Sequence, residues 1–386
     1  MRLFSIMSSS VKGGATISWL NTMIGLKKRG VKLKVAVPSI GFLTQELDKH
    51  GIEYLICPMP YWAYPRVNGI GDVVKFIPKL FRVFYRQILS YKLLKREMEG
   101  WRPDVIHTNV SVINIGYQLG KKLKIPHIWH IREYGVLDFA IRSIYGQKGL
   151  MLRLDNGPAI SITKGLKSYF RLGSKAKVIY NGIEEKGSMI RPLYAEREDV
   201  IIYVGRLTKA KGVEDVIDSF IKSTQTGHNL KLNLIGNYEP KYGDHLKEKI
   251  EQAGLKDRII LTGPIEDPYP EMQRAKAIIV ASKCEGFGRI TAEAMLNGCL
   301  VIGKNTAGTK EQFDNGLSLS GEEIGIRYND ITELSESILA ISNITPEKYD
   351  RMITTAYNVV TQLYSVKKNI EETFNYLNEV ITLYNR

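Results

Sequence analysis

Cysteine is scarce in this chain, with only Cys57, Cys284 and Cys299 among 386 residues. Because none of them stands in a C-x-x-C spacing and their number is odd, the sequence supports neither a disulfide framework nor a zinc site. Long apolar runs are also missing: none reaches the roughly 18 residues of a membrane span, and the apolar run at the N-terminus is too short for a signal peptide. We therefore expect a cytoplasmic protein and leave open whether it binds the inner face of the cell membrane.

Motifs for nucleic acid binding are absent from the sequence. There is no RNP, zinc-finger or homeodomain signature, and the aromatic residues are not interleaved with Arg and Lys as on a stacking surface. The formal net charge is nevertheless +14, which calls for anionic partners. We rank an anionic membrane surface ahead of nucleic acid, which we do not expect as a partner.

The pattern of apolar runs predicts an α/β fold. Short runs alternate with helical segments along both halves of the chain, which is typical of doubly wound parallel sheets. The predicted strands are residues 2–7, 33–37, 53–56, 104–107, 126–131, 159–163 and 177–180, and then 200–204, 231–235, 258–261, 275–282 and 299–304. The turn Asn181-Gly182 interrupts the alternation and polar sequence continues to about Glu198, so we predict a domain boundary there.

The segment at residues 284–298, CEGFGRITAEAMLNG, connects two of these strands. Its glycines allow a tight turn into a helix predicted over residues 289–297 and closed by Gly298. The backbone N–H groups of the first helical turn suit an anion such as a diphosphate. Glu285 and Glu293 flank the turn, where carboxylates accept hydrogen bonds from sugar hydroxyls. The pattern favours a sugar nucleotide, and an ordinary βαβ unit with solvated glutamates is the alternative.

A basic loop follows the strand at residues 200–204. Arg206 and Lys211 precede a helix predicted to begin at Val213, where positive side chains oppose the helix dipole. An anionic ligand between them resolves this conflict, and both cations suit phosphate oxygens. We predict phosphate binding here in preference to a solvated loop.

Polar residues also follow strands of the first half. Gly13 and Gly14 open the first helix and let a ligand approach the backbone, although a plain turn is an equal alternative. Two strands end in polar residues, namely His107 and Asn109 on one and His130, Arg132 and Glu133 on the other. Ligands of doubly wound sheets bind at the carboxyl ends of the strands, so we predict a site there. The alternative for each residue is a satisfied structural polar group.

Residues 75–99 are predicted to contain a basic amphipathic helix that follows Pro78. One face carries Leu80, Phe81, Phe84, Ile88 and Tyr91, and the basic residues are Lys79, Arg82 and Arg86, with Arg96 nearby. This pattern is typical of a helix on an anionic membrane surface. A core-facing helix with a solvated basic side is the alternative.

Together these motifs resemble family 4 of the glycosyltransferases, retaining enzymes of the GT-B fold. EGFGRITAE fits the family's E-x7-E motif, VGRLTKAKG its phosphate-binding signature, VIYNGI the segment closing the first domain, and NTAGTKE a later donor loop. The similarity extends over nearly the whole chain. It implies two Rossmann-like doubly wound domains facing a central donor cleft: residues 1–184 bind the acceptor, residues 185–364 bind the nucleotide sugar, and a final helix, 365–386, crosses back to the first domain.

The resemblance also implies a role for individual residues. Glu285 binds hydroxyls of the donor sugar and Glu293 those of the ribose, while Arg206 and Lys211 hold the diphosphate. The implied catalytic residues are His130, Glu285, Arg206 and Lys211; the donor-binding residues are Gly13, Gly14, Arg206, Lys211, Gly263, Glu285, Gly286, Phe287, Gly288, Arg289, Ile290 and Glu293; the acceptor-binding residues are His107, Asn109, Arg132 and Glu133. Arg289 departs from the family, which more often has an apolar residue at that position.

The implied reaction moves a glycosyl group from a nucleoside diphosphate to an acceptor hydroxyl, with retention at the anomeric carbon. No D-x-D motif occurs, so we expect no metal and no cofactor besides the nucleotide-sugar co-substrate. The expected acceptor is a lipid-linked or membrane-proximal glycan of surface-polysaccharide assembly. The alternatives are a nucleotide-sugar epimerase of the same fold and a non-catalytic basic protein that binds membranes or nucleic acid.

Overall fold

The chain forms two compact units, Met1–Gly182 with Val366–Arg386 and Ile183–Ser365. The computed structural model describes residues 1–65, 70–155, 157–185 and 192–384, without the side chains of residues 65, 70–77, 79 and 139. Each unit has a parallel sheet and an apolar core of its own. The predicted α/β architecture of two doubly wound sheets is therefore confirmed.

The first unit is built on a parallel sheet in the order β3-β2-β1-β5-β6-β8-β9. Its strands, together with a separate antiparallel pair β4 and β7, are β1 (Arg2–Met7), β2 (Lys32–Val37), β3 (Glu53–Ile56), β4 (Ala63–Pro65), β5 (Val105–Asn109), β6 (His127–Ile131), β7 (Ile141–Ser143), β8 (Ala159–Ser161) and β9 (Ala176–Val178). The direction of strand addition reverses between β1 and β5, which leaves a crevice at their carboxyl ends.

Helices cover both faces of this sheet. They are α1 (Gly14–Lys28), α2 (Phe42–Lys49), α3 (Ile70–Trp101), α4 (Ile115–Leu123), α5 (Val136–Phe139), α6 (Gly146–Asp155) and α7 (Lys164–Tyr169). One apolar cluster contains Trp19 and Leu26 of α1, and the other contains Leu94 and Met98 of α3. The two clusters belong to opposite faces of the sheet because side chains alternate along each strand.

The second unit repeats this plan with the order β12-β11-β10-β13-β14-β15. Its strands are β10 (Glu198–Val204), β11 (Lys231–Ile235), β12 (Ile259–Gly263), β13 (Ala275–Val280), β14 (Leu300–Lys304) and β15 (Ile326–Tyr328), and its α-helices are α8 (Val213–Thr224), α9 (Pro240–Gln252), α10 (Tyr269–Arg274), α11 (Arg289–Leu296), α12 (Ala307–Ser320), α13 (Ile331–Ser342) and α14 (Pro346–Tyr364). The order reverses between β10 and β13, the two strands that the predicted phosphate-binding loops follow.

The last helix, α15 (Val366–Tyr384), belongs to the first unit. Its Asn369 side chain donates to the Tyr180 carbonyl at 2.6 Å and accepts from the Thr22 hydroxyl at 2.7 Å. A Cβ added to Gly25 of α1 would lie 2.1 Å from the Ile370 side chain, so the two helices pack closely through that glycine. Ser365 separates α14 from α15 at the predicted break.

Helix α3 differs from the prediction in its start and in its surroundings. It begins at Ile70 and continues through Pro78, although proline removes one backbone donor from the helix. Phe81 is 72% exposed and Ile88 is 55% exposed, so the alternative of an apolar face packed on the core is wrong for these residues. The side chain of Lys79 lies outside the described residues. No helix in the described ranges is long and apolar enough to cross a membrane.

Candidate functional site: strand ends of the two units

Two loops meet at the carboxyl ends of β10 and β13 in the second unit. Both strands are buried and pair in parallel, so the residues that follow them emerge at the same edge of the sheet. The first loop contains Arg206 and Lys211, and the second contains Glu285 and the glycine turn. A hydrogen bond of 3.4 Å from the Lys283 N–H to the Ala210 carbonyl connects the two loops.

Glycine is required where these loops approach their neighbours. Gly212 has a φ of 72°, and a Cβ at this position would lie 2.3 Å from the Ala281 carbonyl oxygen. Gly236, at the end of β11, has a φ of 148°, and its Cβ would lie 1.8 Å from the carbonyl oxygen of Gly205. Side chains at these positions would force the strand ends apart, so the close packing of the loops depends on glycine.

Lys211 and Glu285 form an ion pair at this edge. The Lys211 ammonium lies 2.5 Å from Glu285 Oε1, and the Ser282 hydroxyl donates to the same oxygen at 2.7 Å. Both charged side chains are about a quarter exposed, at 27% and 23%. The residue predicted to bind phosphate and the residue predicted to bind sugar are therefore in direct contact, and both are accessible to solvent.

The other predicted residues of these loops are placed differently. Arg206 is exposed, and its side chain makes no hydrogen bond or ion pair within the described ranges. The Tyr203 hydroxyl, which is buried beneath it, bonds with the Arg206 carbonyl at 3.1 Å. Gly263 accepts from the Gly236 N–H at 2.9 Å, and a Cβ added to Gly263 would meet nothing within 4 Å. The guanidinium of Arg206 is thus available to a ligand.

The glycine turn before α11 is held from behind by α12. The Gly308 N–H donates to the Glu285 carbonyl at 3.0 Å, and the Gln312 amide donates to the Gly288 carbonyl at 3.0 Å. Gly288, with a φ of 78°, stands at the N-cap of α11 without a side-chain cap. Phe287 is only 3% exposed and packs edge-on against Tyr364, with ring centroids 5.3 Å apart.

These contacts assign different tasks to the residues of the turn. Phe287 is buried in the unit and supports the turn from below. Gly286 and Ile290 are half-buried. The uncapped start of α11 keeps the positive end of a helix dipole, which suits an anion.

Arg289 is explained by its contact with Glu293. Its Nε and Nη2 atoms donate to Glu293 Oε1 at 3.1 and 2.6 Å, and each side chain is 14% exposed. The two residues are one helical turn apart, the spacing at which side chains on a helix meet. The guanidinium therefore orients the carboxylate that was predicted to bind ribose, and the i,i+4 spacing is the sequence signal that could have revealed this.

In the first unit, the two predicted histidines form a buried pair. His107 Nε2 lies 3.0 Å from His130 Nδ1, and the Ser5 hydroxyl lies 2.9 Å from His107 Nδ1. Both rings are 2% exposed. Burial, with a smaller effect of the Arg132 charge, lowers the pKa of His107 to about 3 and the pKa of His130 well below its usual range. Both imidazoles are neutral at ordinary pH.

Arg132 and Asn109 are buried as well. Arg132 Nε donates to the Asn109 side chain, and Nη1 donates to the Asn181 side chain at 2.6 Å. Asn109, with no exposed surface, also directs its amide at Met7 Sδ at 3.0 Å. The structure therefore engages both predicted acceptor residues in contacts inside the unit, and Asn181 joins them from the segment that closes the first unit.

Glu133 has an unusual environment at the end of β6. Its Oε1 is buried without a hydrogen-bond partner among the described residues. Burial and the nearby Asp138 raise the pKa of Glu133 to about 7, while a hydrogen bond from the Ser111 backbone partly opposes the shift. A carboxyl group of this kind exchanges protons near neutrality.

The backbone at the ends of β1 and β5 has two special features. Gly13, the N-cap of α1, is extended at φ −172°, and a Cβ there would meet nothing within 4 Å, so the space above it is open. Gly14 is the first residue of that helix. Val110, directly after Asn109, has a φ of 117°, which is strained for a β-branched residue. Strain of this kind occurs at functional sites.

Metal ligands do not cluster in the part of the chain that the structure describes. No group of three or more His, Cys, Asp or Glu side chains there is placed to hold a metal ion. None of the three cysteines forms a disulfide within the described residues; Cys57 and Cys299 are buried and Cys284 is half-buried.

Known proteins resemble this chain in both sequence and structure. Residues 189–359 match the family described as glycosyl transferases group 1. An uncharacterized glycosyltransferase of Methanocaldococcus jannaschii is 31% identical over 305 residues, which cover 70% of this chain and 76% of the relative. The capsular polysaccharide biosynthesis glycosyltransferase CapH of Staphylococcus aureus is 29% identical over 326 residues, which cover 79% and 81%. Anabaena HepE, solved in complex with UDP, matches with a TM-score of 0.76 at 18% identity, over 98% of this chain and 100% of HepE.

The fold is that of the GT-B glycosyltransferases, as predicted. The likeness to HepE supports the fold alone, and it agrees with the two doubly wound sheets described above. The chain belongs to the glycosyl transferases group 1 family. It is a glycosyltransferase, which confirms the resemblance seen in its motifs.

Proposed function

We propose that this glycosyltransferase is a retaining, metal-independent enzyme of family 4 that moves a sugar from a nucleoside diphosphate to an acceptor hydroxyl. The observation that carries the proposal is the contact between Lys211 and Glu285 at 2.5 Å. It joins a cation suited to phosphate and a carboxylate suited to sugar hydroxyls at the switch point of one sheet. A donor that contains both groups matches this pair.

The diphosphate binds at the positively charged side of the site. Arg206 is exposed and offers a planar fork of donors, and Lys211 offers a point charge from the same loop. The uncapped N-terminus of α11 adds backbone N–H groups and a helix dipole. These groups stabilise the negative charge that builds up on the diphosphate as it leaves.

The two carboxylates accept hydrogen bonds from hydroxyl groups of the donor. Glu293, oriented by Arg289, accepts from the ribose, and Glu285 accepts from the transferred sugar. HepE has been solved with UDP and with UDP-glucose, and we extend this donor class to the present chain as the first one to test. The resemblance to family 4 adds His130 near the reacting sugar.

The chemistry balances without an added cofactor. The bond from the anomeric carbon to the diphosphate oxygen breaks, and the diphosphate leaves with the electron pair. The acceptor oxygen attacks the same face, its new bond to the anomeric carbon forms, and its proton passes to the leaving phosphate oxygen. The cations of the second unit stabilise the phosphate, so the chain contains groups for the charge that a metal would otherwise balance.

The acceptor that we propose is a lipid-linked or membrane-proximal glycan of surface-polysaccharide assembly. CapH, by its name, acts in capsular polysaccharide biosynthesis. Helix α3 exposes Phe81, Tyr85 and Ile88 on one side, with Arg82 and Arg86 exposed on the adjoining side. Apolar side chains bordered by cations are typical of a helix that lies on an anionic bilayer, which would hold the enzyme at the inner face of the cell membrane.

A panel of nucleotide sugars tests the proposed function. UDP-glucose, UDP-galactose, UDP-N-acetylglucosamine and GDP-mannose are each scored for thermal stabilisation of the protein and for slow release of the nucleoside diphosphate. We expect one donor to stabilise the protein and to be hydrolysed with an anomeric configuration that matches the donor. Conversion of a donor into an isomeric nucleotide sugar would favour the epimerase, and absence of any stabilisation would contradict the proposal.

A further inference from the structure

We propose that Trp19, Ser5 and His107 form a hydrogen-bond relay that fixes the tautomer of His130, with the proton on Nε2 directed at an oxygen acceptor of the bound ligand. Trp19, Ser5 and His107 are positioning residues, because they act through His130. The proposal deepens the proposed function and rests on it for the identity of the ligand as a sugar.

The relay is a continuous line of contacts within the first unit. Trp19 Nε1 lies 3.1 Å from Ser5 Oγ, which lies 2.9 Å from His107 Nδ1. His107 Nε2 in turn lies 3.0 Å from His130 Nδ1. Trp19 and Ser5 have no exposed surface, so water does not compete for these groups.

The direction of the relay follows from its first member. An indole N–H can only donate, so Ser5 Oγ accepts from Trp19. Among the described residues the Ser5 side chain has one other hydrogen-bond partner, His107 Nδ1, and the Ser5 hydroxyl proton is satisfied by donation to that atom. His107 Nδ1 is therefore an acceptor, and because the ring is neutral its proton is on Nε2.

The tautomer of His130 follows from that of His107. His107 Nε2–H donates to His130 Nδ1, which leaves the single proton of the neutral His130 ring on Nε2. That nitrogen is buried and has no partner among the described residues. A buried N–H without an acceptor costs about 1–3 kcal/mol, and a ligand oxygen would remove this cost.

Burial and a neighbouring positive charge keep both rings neutral. After burial, the positive charge of Arg132 is the next cause of the low pKa values of both histidines. His127, at the start of β6, is half-buried, and its Nε2 lies 2.8 Å from the Thr108 hydroxyl. Binding of a hydrogen-bond acceptor therefore requires no proton uptake by His130.

His107 has an internal role in this relay. The sequence suggested an acceptor-binding residue, whereas its two ring nitrogens are both used inside the relay. The ligand that fits His130 Nε2–H is a hydroxyl or ether oxygen, and an ammonium group is excluded because it has no lone pair. A donor sugar that lacks the oxygen at this point would lose one hydrogen bond.

Nitrogen NMR of the histidine side chains tests the relay without any ligand. The chain has six histidines, and His107→Gln and His130→Gln variants assign the two signals of interest in the 15N-histidine-labelled protein. We expect wild-type His107 and His130 to show the neutral Nε2–H pattern. In Ser5→Ala, His107 Nδ1 loses its donor, and we expect the Nδ1–H form to become populated in both rings.

Ser161→Ala is the matched control. Ser161 is also fully buried in the first unit, and its hydroxyl donates to the Thr163 carbonyl at 2.8 Å outside the relay. This variant should retain the wild-type tautomers. An Nδ1–H form of His130 in the wild type, or unchanged tautomers in Ser5→Ala, would overturn the relay.

Kinetics separate a failure of the relay from a failure of the proposed function. For a donor found in the panel, Ser5→Ala should lower kcat/KM about 3- to 10-fold, as expected for one weakened hydrogen bond, and Ser5→Thr should restore part of it. Nε2–H tautomers in a protein that binds no nucleotide sugar would support the relay and contradict the proposed function. Donor turnover with unchanged kcat/KM in Ser5→Ala would contradict the relay alone.

Discussion

Lys211 and Glu285, 74 positions apart in the sequence, form an ion pair of 2.5 Å between the loops that follow β10 and β13. Because these strands pair at the reversal point of the second sheet, the contact connects the two loops that were predicted to bind phosphate and sugar. Neither side chain is buried, so the pair adds about 1 kcal/mol or less to stability. We infer that the pair arranges the site for its ligand.

The contact between Arg289 and Glu293 predicts a graded effect of substitution. Arg289→Ala frees the Glu293 carboxylate to adopt other rotamers, and we expect the donor KM to rise about 3- to 10-fold with little change in kcat, as for one lost orienting hydrogen bond. Glu293→Ala removes the ligand itself and should nearly abolish transfer. Steady-state kinetics with varied donor measure both effects.

Arg274→Ala is the control for the arginine variant. Arg274 is 55% exposed in the same unit and pairs with Glu271 on the protein surface. It should leave the donor KM unchanged. An unchanged KM in Arg289→Ala, or the same rise in Arg274→Ala, would contradict the orienting role of Arg289.

Glu133 predicts a pH dependence of stability in a defined window. Its pKa is raised from 4.5 to about 7, so between these values the folded protein binds more protons than the unfolded chain and its stability falls as the pH rises. Glu133→Gln removes the buried charge and should be more stable than the wild type at pH 8, by on the order of 2 kcal/mol, with little difference at pH 4.5.

Denaturant unfolding of both proteins at several pH values measures this difference. Glu99→Gln, which changes an exposed carboxylate of α3 that pairs with Lys95 at 3.2 Å, is the control. It should follow the wild-type curve within about 0.5 kcal/mol. A Glu133→Gln variant that is less stable than the wild type at pH 8 would show that the carboxylate is favourable where it lies.

The exposed apolar side of α3 predicts binding to anionic membranes. Charge reversal in the Arg82→Glu/Arg86→Glu double variant should weaken binding to phosphatidylglycerol vesicles at least tenfold, since each cation near an anionic surface contributes about 1 kcal/mol. Vesicle co-sedimentation measures this change. Lys121→Glu/Lys122→Glu, on the exposed end of α4, is the control and should bind almost as the wild type does. Equal binding by all three proteins would remove α3 from the membrane contact.

Most of the described strands were predictable because each contains a short apolar run between turn signals. The β4–β7 pair and β15 were not predicted, because each of these strands has only three residues outside a longer apolar run, and β4 ends at Pro65, which has no donor. Helix α12 begins at Ala307 inside a segment that its glycine made look like a loop. In these segments tertiary contacts determine the backbone conformation, and the local pattern of apolar residues does not predict it.

The sequence predicted which residues belong to the candidate site, but only some of the contacts between them. The ion pair between Arg289 and Glu293 can be predicted from their i,i+4 spacing. Lys211 and Glu285, in contrast, meet only because β10 lies beside β13. The contact between His107 and His130 depends on the register of β5 against β6, which the positions of the two residues in the sequence do not show. The spacing of residues along the chain does not show which strands pair, and therefore does not show which distant residues meet.

The most direct test of the central claim is a calorimetric titration of UDP and UMP, or the corresponding nucleotides of whichever donor binds. If Arg206 and Lys211 hold a diphosphate, the wild type binds UDP at least tenfold more tightly than UMP, because the second phosphate adds charge-assisted hydrogen bonds worth about 1.5–3 kcal/mol. Lys211→Ala should lose most of this preference, and Lys209→Ala, an exposed lysine of the same turn, should keep it. Equal affinity of the wild type for UDP and UMP, or an undiminished preference in Lys211→Ala, would contradict the account.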